Sequence, residues 1–318
     1  MSYLFDAQLI DAIAIALTIL VIFLNGFTDA PNSIATIVAT KTLSMNKACA
    51  LCAVCNVAGL AIVSAITKAV ANRILESASF GEKRGIAIVA TLASVVIFSC
   101  VSWLFSMPSS ESHALVAGIW GATLALNQGA SINPFLEIIF YMLMSCAISL
   151  FLSYFIFCAL RRANFPYAKL QILCCATSSF MHGAQDGQKL LGVLLVVTAT
   201  SRVNNTELIL IVGVAMLLGT LLGGGKIVKS MGEGIAPLTP KSAFVSDISA
   251  TLCLILCSAF GFPVSTSNIK ACSVTGAGLG EKSAINYRTL RHIAYVAILT
   301  FPVCMLISYI IVRLTLNM

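Results

Sequence analysis

The chain has 318 residues, of which 59% are hydrophobic and only 10% charged, with a formal net charge of +7. A water-soluble domain carries about 25% charged residues, so this balance excludes one. Uniform apolar runs near the roughly 20 residues of a spanning helix exclude a β-barrel of short alternating strands, and basic residues scattered through loops exclude nucleic acid as a partner.

The first predicted span covers residues 9–28. It lacks a basic leading region and a small-residue cleavage site, so it is expected to be retained as a helix and not removed as a signal peptide. It ends in NGFTDAPNS (Asn25 to Ser33), the first polar break. Pro31 suits the first turn of a helix, and residues 32–44 resume helical sequence. Residues 48–70 span again. Cys49, Cys52 and Cys55 form CxxCxxC there, but the fourth ligand of an iron–sulfur run is missing. Most of the 12 cysteines lie in apolar segments and read as small hydrophobes. A loop follows over 72–85, and residues 86–107 span before PSSESH (Pro108 to His113). Residues 113–127 are too short to cross easily and read as one arm of a re-entrant hairpin. Residues 134–160 span and end at Arg161 and Arg162.

The pattern then starts again. Residues 166–181 lead to HGAQDGQK (His182 to Lys189), and 190–200 resume after it. A span over 206–222 precedes the glycine-rich GGGKIVKSMGEG, residues 244–260 run into PVSTSN (Pro263 to Asn268), and 269–279 are again short. Residues 289–316 form the last span. Glu137 and Asp247 fall near segment ends and are expected at the membrane interface.

Asp29 and Asp186 are 157 positions apart, and Pro108 and Pro263 are 155 apart. Within that register Ser110 pairs with Ser265, Ser112 with Ser267, His113 with Asn268 and Gly121 with Gly276. Four landmarks at a nearly constant offset indicate an internal duplication, with halves at 1–162 and 163–318. Acids alone near the N-terminus (Asp6, Asp11), against Arg161, Arg162 and Lys169 at the junction, place the N-terminus outside and the junction in the cytoplasm. That implies an odd number of crossings per half. The expected fold is therefore an all-α polytopic membrane protein of two inverted-topology repeats, with broken helices and re-entrant hairpins.

At its four polar motifs the chain resembles the PiT family of inorganic phosphate transporters. That family carries a G-x-N-D-x-x-N-S signature early in each half and P-V-S-[ST]-[ST]-H before a hairpin. GFTDAPNS, HGAQDGQK, PSSESH and PVSTSN stand at matching places, and Gly223 to Pro240 resembles the stretch between the second pair. The resemblance implies cation-coupled phosphate symport, driven by sodium or protons, in a homodimer of the cell membrane with no cofactor. Five positions depart from the pattern: Thr28, Gln185, Lys189, Glu111 and Asn268.

An ionisable residue inside a membrane segment is costly and is a functional candidate by default. Asp29 and Asp186 are expected to ligate Na⁺ with Thr28, Asn32, Gln185 and Gln188 as oxygen donors, since hard cations prefer such ligands. A tetrahedral oxyanion needs many donors to replace its water. Ser109, Ser110 and Ser112, with Ser265, Thr266 and Ser267, cluster at two helix starts that could supply them, although such residues also cap helices. Glu111 would repel an anion unless protonated or paired with a cation. Lys189 reads equally as a counter-charge to Asp186 or an anion contact. His113, His182 and Asn268 are accessory, the histidines either relaying protons or simply packed.

The expected function is secondary-active phosphate symport by alternating access, with a sulfate permease of the same family as the close alternative. Phosphate takes up a proton near neutral pH and sulfate does not, so an acceptor such as Glu111 favours phosphate. A channel would show rings of like groups along a pore. An enzyme would show a nucleophile beside a base, for which only Ser112 next to His113 qualifies.

Overall fold

The computed structural model describes residues 2–66, 83–105, 107–127, 132–197 and 205–317, and every described element is helical. Helix α1 (Ser2–Leu24) contains neither Gly nor Pro and continues through a π-helical turn (Asn25–Asp29) into α2 (Pro31–Ala39). Next come α3 (Met45–Ile66), α4 (Arg84–Leu104), α5 (Glu111–Ala125) and α6 (Ile132–Ala159). The second half comprises α7 (Tyr167–Val197), α8 (Asn205–Leu222), α9 (Gly225–Gly232), α10 (Pro240–Ala259), α11 (Thr266–Glu281) and α12 (Tyr287–Asn317). Most of the loop expected over 72–85, and the end of the segment 190–200, lie outside the described residues.

Local chemistry sets several boundaries. Ser110 caps α5 by accepting from the His113 N–H at 3.3 Å, and Ser265 caps α11 by accepting from the Asn268 N–H at 3.3 Å. Thr239 and Ser242 form a reciprocal capping box at α10, with Pro240 in its first turn. Gly224 takes a left-handed φ of 104°, the conformation glycine adopts most cheaply, where the chain bends by 70° between α8 and α9.

The two polar breaks differ from expectation, because neither unwinds. The first is a π turn, in which the Ala30 N–H reaches the Asn25 carbonyl five residues back at 3.1 Å and Pro31 has no N–H to lose. The second stays α-helical throughout α7. Its glycines serve close approach instead: a Cβ on Gly183 would lie 2.0 Å from the Asn56 carbonyl of α3. Of the four polar motifs, the two that leave the helical pattern are the Pro-Ser and Pro-Val stretches before α5 and α11.

Six described helices are long and apolar enough to cross a membrane, or seven if the bent α8–α9 pair is one span. Helix α7 is not among them; it reaches about 46 Å at 1.5 Å per residue, but carries Gln171, His182, Gln185, Asp186, Gln188 and Lys189. Large apolar side chains such as Leu143, Phe155, Leu222 and Ile298 point outward, while many Ser and Thr hydroxyls are buried. This is the distribution of a multi-pass integral membrane protein, where small and hydroxylated residues mediate helix packing.

The halves interlock. Helix α5 packs on α12 and α4, while α11 packs on α6 and α10; α3 lies on α7, and α8 on α1 and the π turn. Exchanging the halves turns each pairing into its counterpart. The match extends to single contacts. A Cβ on Gly121 would sit 2.1 Å from the Met305 carbonyl, and one on Gly276 would sit 2.2 Å from the Leu150 carbonyl. Leu150 and Met305 are 155 positions apart, as are the two glycines. Ser149 and Ser153 of α6 also donate to the Ile269 and Ser273 carbonyls of α11, at 3.0 and 2.7 Å.

Gly121→Ala and Gly276→Ala are each expected to cost about 1–3 kcal/mol by forcing these helices apart. Thermal unfolding of the detergent-purified protein measures this, and unchanged melting in both variants would contradict the packing.

Candidate functional site

Asp29 ends the π turn, Asp186 sits mid-way along α7, and the first turns of α5 and α11 come to them from opposite halves. All of these groups are buried: Asp29 and Asp186 are each 2% exposed, Lys189 3% and Glu111 4%. Between them is a cavity of about 10 Å³ lined by Asn25, Glu111, Ser112, Leu115, Asp186, Lys189 and Leu190. That is room for about one water, far below the hundreds of Å³ of a small-molecule pocket, so the protein is closed over the site. A wider hollow at the surface, lined by Phe165 to Lys169 and Thr239 to Lys241, contains none of these groups.

Asp186 is surrounded by donors. Its Oδ1 accepts from Lys189 Nζ at 2.6 Å, and its Oδ2 accepts from Thr266 Oγ1 at 3.1 Å and Asn25 Nδ2 at 3.3 Å. His182 Nε2 lies 3.2 Å from the same oxygen, and His182 Nδ1 is 3.1 Å from Asn56 Oδ1. Lys189 also donates to Ser112 Oγ and to the Val264 carbonyl, both at 2.7 Å. Asp29 has fewer partners: its Oδ1 accepts from Ser267 Oγ at 2.6 Å and from Asn32 Nδ2 at 3.4 Å. Asn32 Nδ2 also donates to Ser267 Oγ at 2.9 Å. Thr28 Oγ1 donates to Glu111 Oε1 at 2.9 Å, so the carboxylate that departs from the family pattern is held by a second departing residue.

Thr266 and Ser267 thus reach Asp186 and Asp29, Lys189 and Asn32 reach the aspartate three residues before each, Thr28 reaches Glu111, and Ser112 enters through Lys189. Ser110 and Ser265 serve as helix caps, and Asn268 enters through its backbone N–H. Ser109 is buried in the non-helical approach to α5. Gln185 donates to Ser258 Oγ at 2.8 Å, and its Oε1, like Asn32 Oδ1 and both amide atoms of Gln188, is buried without a protein partner. Each such group carries a cost of about 1–3 kcal/mol, which a bound ion or water would relieve. His113 is packed against Phe301 with ring centroids 4.9 Å apart.

Two features were outside the sequence expectations. Asn25 and the Val264 carbonyl belong to the site, although only Asn25's place four residues before Asp29 hinted at it. Asp247, expected at the interface, is fully buried in α10, because Lys270 of α11 and Thr36 of α2 enclose it. Thr36 Oγ1 donates to Asp247 Oδ1 and Oδ2 at 2.7 and 3.0 Å, and Lys270 Nζ pairs with Oδ1 and lies 3.3 Å from Thr36 Oγ1. The counterparts in the opposite half, Leu92 for Asp247, Leu115 for Lys270 and Val193 for Thr36, are apolar core. The CxxCxxC cysteines pack: Cys49 and Cys52 join Ala30, Ile34 and Ile37 in one apolar cluster.

Lys270→Met should cost about 3–5 kcal/mol, because it strands the Asp247 charge, whereas Lys270→Met with Asp247→Asn should recover most of the loss. A double-mutant cycle on thermal stability checks this, and additive losses would show that the pair is not coupled.

A family profile described as "Phosphate transporter family" matches residues 25–169 and, a second time, 161–308. A "Probable low-affinity inorganic phosphate transporter" of Bacillus subtilis (strain 168) is 28% identical over 316 residues, covering 92% of this chain and 95% of that one. A protein of the same description from Rhizobium meliloti (strain 1021) is 30% identical over 313 residues, covering 92% and 93%. A solved structure described as "The sodium-dependent phosphate transporter" superposes with a TM-score of 0.84 over 97% of this chain and 99% of that one, at 19% identity, and so shares the fold. With its profile matched in both halves and its fold shared, the chain belongs to the phosphate transporter family.

Proposed function

We propose that this chain is a secondary-active symporter that carries inorganic phosphate with a coupling cation, Na⁺, by alternating access. The observation that carries the reading is the gathering of acidic side chains in a closed site: Asp29, Glu111 and Asp186 are buried together there, with Lys189 paired to Asp186. An anion cannot enter such a place alone, because uncompensated charge in a low-dielectric interior is prohibitive. A cation bound at Asp29 removes that barrier.

The same geometry supplies a coupling step. Ser267 and Thr266 now give their hydroxyl protons to Asp29 and Asp186. A cation on Asp29 would replace the donation from Ser267, whose hydroxyl is then free to turn toward phosphate. Ser112 and the first-turn amides of α5 and α11 complete a donor set suited to a tetrahedral oxyanion, with the Lys189 ammonium as a positive charge beside it. Ser109, Ser110 and Ser265 shape that set from behind, the latter two by fixing where each helix starts. The names of the Bacillus and Rhizobium relatives support phosphate as the cargo, and the sodium-dependent transporter that shares the fold supports sodium. Inverted repeats over 1–162 and 163–318, an external N-terminus, a cytoplasmic junction at Arg161 and Arg162, residence in the cell membrane and assembly as a homodimer belong to this reading. Turnover by carriage, without chemical change of the cargo, completes it.

Radiolabelled phosphate uptake into proteoliposomes is expected to follow an imposed sodium gradient and to resist excess unlabelled sulfate. Uptake driven only by a proton gradient would change the coupling ion, and displacement by sulfate would change the cargo. Asp29→Asn and Asp186→Asn should each lower uptake to that of empty vesicles while remaining folded; normal uptake in either would remove that residue from the site.

A further inference from the structure

The duplicated frame builds the same small oxygen cluster twice, and the two copies are filled differently. In one copy Asp29 of the first half meets Ser267 of the second, with Asn32, three residues after the Asp, reaching both. In the other, Lys189, three residues after Asp186, stands between Asp186 of the second half and Ser112 of the first and donates to both. The correspondence holds group by group: Asp29 with Asp186, Asn32 with Lys189, Ser267 with Ser112, each at the 157- or 155-position offset of the repeat.

The environment of Lys189 Nζ is that of a bound cation. A carboxylate oxygen, a hydroxyl oxygen and a backbone carbonyl surround it at 2.6, 2.7 and 2.7 Å, which uses all three ammonium protons. Hard monovalent ions are held by this mixture of oxygens. In the Asp29 copy no lysine is present. Asn32 is 2% exposed and its Oδ1 has no protein partner, so a neutral oxygen is left beside a carboxylate that lacks a cation.

We propose that the Lys189 ammonium is a tethered cation occupying the second half's copy of the coupling-ion site, so that this chain binds one mobile cation, at Asp29, where its duplicated frame provides for two. The proposal rests on the reading of Asp29 and its neighbours as a cation site. It makes Lys189 the residue that sets the ion count of the transport cycle. A covalently held charge cannot be released on the far side of the membrane. The second site is therefore permanently loaded, and only the first exchanges with solution.

The test is equilibrium binding of radiolabelled sodium to the full chain in lipid nanodiscs, counted per protomer. The wild type is expected to bind one ion; Asp29→Asn should lose it and Asp186→Asn should keep it. Lys189→Asn, which copies the residue at position 32, should bind two. Two ions or none in the wild type would overturn the proposal, as would loss of the ion in Asp186→Asn or an unchanged count in a folded Lys189→Asn. If Lys189→Asn does not fold, the wild type and the two aspartate variants still decide. Phosphate uptake by the same preparations reports on the symporter reading separately: the expected ion counts without any uptake would sink that reading and leave the tethered cation standing.

Discussion

The desolvation of charge governs this protein. Four carboxylates (Asp29, Glu111, Asp186, Asp247) and two ammonium groups (Lys189, Lys270) are buried in a bundle that turns many large apolar side chains outward. Ions removed from water cost several kcal/mol each unless partners replace their hydration. Hence the hydroxyls, amides and helix starts cluster where they do. Asp247 solves the problem completely, with Thr36 and Lys270 around it. Asp186 nearly does, with an ammonium, a hydroxyl, an amide and an imidazole in reach. Asp29 is less fully compensated, with the Ser267 hydroxyl and the Asn32 amide as its side-chain donors.

Helix geometry delivers these groups without exposing backbone. The π turn at Asn25–Asp29 changes which side chains face inward while keeping its amides bonded, and α7 passes through His182 to Lys189 as ordinary α-helix. Among the four polar motifs, the short stretches before α5 and α11 leave the helical pattern. There the caps at Ser110 and Ser265 fix the first turn, so that Glu111 and Ser112, or Thr266 and Ser267, project together toward the facing aspartates.

Duplication made much of this legible from sequence. Asp29 and Asp186 stand out as acids in apolar runs, and the 155-position offset ties Ser112 to Ser267 before any coordinates are considered. What was hidden was of two kinds. The role of a hydroxyl in a Ser-rich motif depends on rotation about one helix turn, so Ser110 and Ser265 as caps could not be separated from Ser112 and Ser267, which meet Lys189 and Asp29. The Thr36–Asp247–Lys270 cluster draws on three helices and belongs to no repeated motif; Asp247 alone looked like a segment-end residue. The polar breaks misled for a related reason. Gly and Pro permit unwinding, but Gly183 is present for contact with Asn56 and Pro31 for a helix start.

The exchange of partners between halves bears on how the chain is made. Helix α5 is buried nearly all round, and its principal neighbour α12 emerges from the ribosome about 160 residues later. Until then His113 and the packing face of Gly121 lack the cover that Phe301 and Met305 of α12 give them, in a membrane that offers few substitute hydrogen bonds. The first half therefore cannot mature as a separate unit. Its central helix must be sheltered, by insertion machinery or by shallow residence at the bilayer surface, until synthesis ends. Long-range pairing of this kind makes assembly slow and late, and places the last helix in the role of a bolt that closes both halves at once.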